Sequence, residues 1–157
     1  MIDHMRDPAR RMRAYLLATL GVGMIGMAAE LLLIGHRETA QQQIPLALLG
    51  VGVAALVWHA AAPRVATVRV LQIVMLLFVL SGAVGVVLHY RGNVEFELEM
   101  YPAMNGLELV QKTFTGATPV LAPGSMTLLG LIGLTHTYKH PCLDRGASAL
   151  RHEEGDA

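Results

Sequence analysis

VLQIVMLLFVLSGAVGVVL, residues Val70–Leu88, runs nineteen positions without one charged side chain. A helix rises 1.5 Å per residue and the hydrocarbon core of a bilayer is about 30 Å thick, so about 20 such residues make one crossing. Three more apolar runs of similar length flank it: Ala14–Gly35, Ile44–Ala62 and Val120–Tyr138. Over the whole 157-residue chain 54% of residues are hydrophobic and only 15% charged, a balance unlike that of a soluble domain. Helices and closed barrels alone satisfy every backbone group in lipid, and these runs are too long and too uniform for alternating barrel strands. The sequence therefore predicts an all-α polytopic membrane protein. Residues 1–140 would form an antiparallel four-helix transmembrane bundle, and 141–157 a mobile cytoplasmic tail rich in Gly, Glu and Asp. Pro119 and Pro123-Gly124 sit at the start of the fourth run, so its outer turn is expected to be broken.

The basic residues set the orientation. Arg6, Arg10, Arg11, Arg13, Arg64, Arg69, Lys139, Arg145 and Arg151 fall on one side of the bundle, and only Arg37, Arg91 and Lys112 on the other. Nine against three puts both termini in the cytoplasm. The first run is longer than the 7–15-residue apolar core of a signal peptide and is expected to be a retained helix. Composition and short loops suit a bacterial inner membrane. Trp58, Tyr15, Tyr90, Tyr101 and Tyr138 lie near span ends, as interfacial anchors do.

The long connection between the third and fourth runs is expected to be a structured extracytoplasmic segment. Val94–Met100 alternates apolar residues with Glu95, Glu97 and Glu99, a period of two that predicts a strand. Its glutamate row is a candidate cation-binding face, the plainer reading being a solvated surface. Beyond Pro102, Met104, Leu107, Val110 and Phe114 share one side of a short interfacial helix.

Ionisable side chains inside membrane helices are costly and usually face the bundle or a wet cavity. Glu30 shares a helical stripe with Thr19, Gly23 and Gly26; His59 with Leu48, Gly52 and Ala55; His136 with Leu129 and Gly133. Met75, Gly82 and His89 share a face with Gln72. Small residues let helices approach, so all these polar groups are expected on packing faces. They fall into two levels: Glu30, His36 and His89 toward the outside, and His59, His136 and His140 toward the inside. Histidine pairs at matching depth, His59/His136 or His36/His89, are candidate ligands of haem b or a metal ion. Glu30 with Gln72 is a candidate interior proton site.

Much is excluded. Balanced charge, twelve basic against twelve acidic residues, gives no footprint for nucleic acid. One cysteine, Cys142, forms neither an intrachain disulfide nor a multi-cysteine metal site. Gly21-Val22-Gly23-Met24-Ile25-Gly26 has dinucleotide-loop spacing but lies inside a membrane run with no preceding strand. With no complete reaction centre in view, a non-enzymatic accessory or assembly component is expected. Its partners would be the lipid bilayer and other membrane proteins or further copies of itself. A haem-binding electron-transfer protein and a proton-linked small transporter acting as an oligomer are the alternatives.

Overall fold

The computed structural model describes residues 3–116 and 118–143, with side chains from residue 8 onward, and every regular element in it is a helix. In chain order these are α1 (Asp3–Leu33), α2 (Ala40–Ala61), α3 (Val65–Met100), α4 (Gly106–Thr115) and α5 (Gly124–Thr137). Among the described residues, Pro8–Leu33, Ala40–Ala61 and Val65–Met100 are long and apolar enough to cross a membrane. Their outward surfaces fit that solvent. Val22, Ile25, Leu33, Val51, Val57, Ile73 and Leu80 are all exposed, a continuous apolar exterior that water would penalise and lipid would not.

The helix ends follow from local chemistry. Gly35 stops α1 with φ of +69°, and the His36 N–H reaches back to the Leu31 carbonyl at 2.9 Å. A left-handed residue after the last turn favours glycine because a Cβ is strained there. Thr39 then caps α2: its hydroxyl accepts the Gln42 N–H, while Gln42 Oε1 accepts the Thr39 N–H at 3.1 Å.

Inside, Leu20 and Met24 of α1, Leu49 of α2, Leu71, Met75 and Phe78 of α3, and Met126 and Leu129 of α5 pack into one buried cluster. The α3–α5 seam is the closest. Gly82 and Gly85 of α3 lie against Thr127 and Pro123, while Gly130 and Gly133 of α5 lie against the Met75 backbone and side chain. Membrane helices gain little from burying apolar surface away from lipid, so such close, small-residue contact is their main packing device.

The outer segment corrects one expectation. Val94–Met100 is not a strand; α3 continues through it to Met100. At 36 residues α3 is about 54 Å long, well beyond the thickness of a hydrocarbon core. Helical geometry turns successive residues by about 100°, so the three glutamates do not line up. Glu95 and Glu99 are exposed, while Glu97 is buried on the opposite side with Asn93.

The short helix expected beyond Pro102 is present as α4, with Leu107, Val110 and Phe114 exposed. It is tied to α3 by Asn93, whose amide nitrogen donates to the Thr113 carbonyl (2.8 Å) and the Thr118 carbonyl (2.7 Å). Asn93 Oδ1 in turn accepts from the Thr118 N–H and hydroxyl. The start of the fourth run is broken as expected: Pro119–Pro123 makes tight turns, and α5 begins only at Gly124. Beyond Leu143, the tail expected to be mobile lies outside the described residues.

Candidate metal centre

The buried stripe of α2, Leu49, Gly52, Ala55 and His59, ends on a histidine, and so does that of α5, where Met126, Leu129 and Gly133 lead to His136. Both stripes run to the end of the molecule where α2 turns into α3. There His59 and His136 are buried and their Nε2 atoms face each other at 3.3 Å. His140 joins them, its ring centroid 5.1 Å from His59 and 5.7 Å from His136. One ligand nitrogen from each of the three lies within 4.8 Å of the other two. His140 reaches this position because Lys139 takes a left-handed conformation, φ of +44°, just after α5 ends. That conformation is uncommon for a residue with a side chain, and it folds the chain back toward α2.

Hydrogen bonding assigns the tautomer of His136 and admits two for His59. Nδ1 of His136 lies 3.0 Å from the Arg13 carbonyl oxygen, which accepts only, so Nδ1 carries the proton. Nδ1 of His59 lies 3.2 Å from the Thr67 hydroxyl oxygen. That hydroxyl stands 3.0 Å from both the Ala62 and Arg64 carbonyls. With its hydrogen given to those carbonyls, Thr67 has a lone pair to offer His59, which places the His59 proton on Nδ1 and frees Nε2 as a ligand; with the hydroxyl turned toward Nδ1 instead, His59 Nε2–H donates to His136 Nε2.

In the first arrangement two Nε2 lone pairs point at each other, a contact that is repulsive unless a cation lies between them; in the second it is a neutral N–H···N hydrogen bond. Two nitrogens each about 2.0–2.1 Å from a tetrahedral zinc ion are about 3.3 Å apart, which is the separation observed. Three equivalent bonds would need His140 to close by at most about 1.5 Å. Its Nδ1 accepts the Cys142 N–H at 3.3 Å, so His140 would be the ring to rearrange around an ion.

The same distances bear on haem. Axial imidazoles on opposite sides of an iron place their nitrogens about 4 Å apart with a macrocycle between them. His59 and His136 are closer than that and meet edge to face, with an interplanar angle of 81°. A compact ion suits them better.

The remaining candidates are dispersed. His36 and His89 approach with ring centroids 6.4 Å apart, and His89 Nδ1 is 3.2 Å from the Pro119 carbonyl oxygen. Two rings without a third donor make a poorer ligand set. Glu30 is exposed on the outer surface of α1, not on a packing face. Gln72 is half-buried and accepts from the Arg69 guanidinium at 3.2 Å. It precedes His89 by 17 residues, about 25 Å along α3, so Gln72 and the His36–His89 level belong to opposite ends of the molecule.

Thr67 and Arg13 hold the two rings, and sequence reading had not marked either one. Thr67 follows His59 by eight residues across a turn, and Arg13 had counted only toward orientation. The chain matches no protein-family model, and no curated protein or solved structure is significantly similar to it.

Proposed function

We propose that this chain is a small integral membrane protein that holds one divalent transition-metal ion, zinc first among them, between His59, His136 and His140. The observation that carries the reading is the 3.3 Å approach of two buried Nε2 atoms with His140 beside them, each of the two rings having an oxygen within hydrogen-bonding distance of its Nδ1 on the far side. Metal-binding histidines characteristically donate their other ring N–H to an oxygen, which sets the tautomer and strengthens the ligand. Three imidazoles leave a fourth position for water or a partner's donor atom.

In this reading the protein is non-enzymatic and works as an accessory or assembly component of a bacterial inner membrane. α5, at 14 residues about 21 Å long, completes a fourth crossing together with the Pro119–Pro123 turns. The nine-to-three bias of basic residues favours both termini in the cytoplasm. That orientation gives the three histidines a cytoplasmic address and the α3–α4 extension an external one.

Cobalt(II) titration of the metal-stripped, detergent-solubilised protein tests the reading. Intense visible bands of a tetrahedral site are expected at one ion per chain, and His59→Ala should abolish them. Pale six-coordinate cobalt, or bands that survive His59→Ala, would refute it.

A further inference from the structure

Arg13 ties α1 to the end of α5. Its guanidinium donates to the His136 carbonyl (2.5 Å), the Tyr138 carbonyl (3.0 Å) and the Lys139 carbonyl (3.0 Å), and its own carbonyl accepts from His136 Nδ1. The last carbonyls of a helix have no intrahelical partner, and the helix dipole makes them collectively negative. One α1 side chain therefore neutralises the end of α5 and the turn that follows it. That turn contains left-handed Lys139 and delivers His140.

We propose that Arg13 is the positioning residue of the metal centre. It orients His136 through its carbonyl and holds the strained Tyr138–Lys139 turn that presents His140, so that ion binding is coupled to the docking of α1. The proposal rests on the metal reading above. Arg13 does not touch the ion. Its charge is directed at three carbonyl oxygens, whose partial negative charge offsets part of its repulsion of a nearby cation. Without the guanidinium, the Lys139 turn has less to hold its left-handed conformation, and His140 leaves the other two histidines. Loss of a group that orients a metal ligand typically weakens binding 10–100-fold.

The test is cobalt(II) titration of the full chain in detergent, comparing wild type, Arg13→Gln, Arg13→Lys, His140→Ala and the double variant Arg13→Gln/His140→Ala, with thermal unfolding measured in parallel without metal. Arg13→Gln is expected to weaken cobalt binding about 10–100-fold and to diminish the tetrahedral bands, as His140→Ala does. The double variant should be little worse than either single change, because both remove the same ligand. Arg13→Lys keeps a cation at the end of α5 but cannot span three carbonyls, and about tenfold weakening is expected. If Arg13 serves stability alone, its variants will unfold at lower temperature but keep wild-type cobalt affinity and bands, or their effect will add fully to that of His140→Ala. Either result overturns the proposal while the metal reading stands. Failure of wild type to bind cobalt would remove both.

Discussion

Changing His136 to alanine is expected to weaken zinc binding by about 100- to 1,000-fold while leaving the helices intact. Structural zinc sites with four ligands bind with about 10–16 kcal/mol, or roughly 2.5–4 kcal/mol per ligand. The loss of one ligand thus corresponds to about two to three powers of ten. His136 is the ring with the least freedom to be replaced: it is buried, its Nδ1 is held by α1, and its Nε2 is the nearest nitrogen to His59. Equilibrium dialysis against a competing chelator measures the change. An affinity within about threefold of wild type would show that His136 is not a ligand, since even an orienting group contributes about tenfold or more.

The second large effect is expected at the α3–α5 seam, where Gly130→Leu should destabilise the assembled helices and abolish zinc binding together. A Cβ at Gly130 would lie 2.6 Å from the Met75 carbonyl oxygen and 2.7 Å from a Val79 methyl. The first of these is backbone in the middle of a long helix and cannot rotate away. α5 must move outward, and overpacking of this kind costs about 1–3 kcal/mol or more when backbone is displaced. Since His136 lies six residues further along α5, the same displacement separates it from His59. Gly26→Leu is the control: nothing lies within 4 Å of a Cβ there, and the change should stay within about 0.5 kcal/mol. Thermal unfolding in detergent and cobalt absorbance read both quantities. Equal behaviour of the two variants would mean that the seam is not as close as described.

The apolar helices and the histidines were legible in the sequence for different reasons. Val70–Leu88 announced a helix because nothing but length and apolarity is needed to recognise a candidate crossing, and α3 contains it whole. His59 and His136 stood out because each closes a stripe of small residues, and the sequence placed both on the packing faces where the structure has them buried. Glu30 failed the same argument. Of its stripe only Gly23 meets another helix, lying against Leu129 of α5, while Thr19, Gly26 and Glu30 itself are exposed. A small-residue stripe shows where helices can approach, not where they do.

Val94–Met100 misled for another reason. Three alternating pairs fit a half-buried strand, yet Glu, Leu and Met are strong helix formers, and α3 arrives at Val94 already helical. Tertiary contact then decided which residues are covered: Asn93 and Glu97, one turn apart, are buried on the side where Asn93 holds α4. The contacts that hold the candidate histidine ligands are not legible in the sequence. Thr67 acts through a turn between helices, and Arg13 acts across 123 residues of chain. Only the packing of α1 against α5 brings the second pair together.

X-ray absorption at the zinc edge, on full-length protein purified with one equivalent of zinc, tests the central claim most directly. The account expects a four-coordinate first shell of nitrogen and oxygen at about 2.0 Å, with the multiple-scattering pattern of three imidazoles, reduced to one or none in His59→Ala/His136→Ala. A six-coordinate oxygen shell without imidazole scattering, or a spectrum unchanged in the double variant, would contradict it.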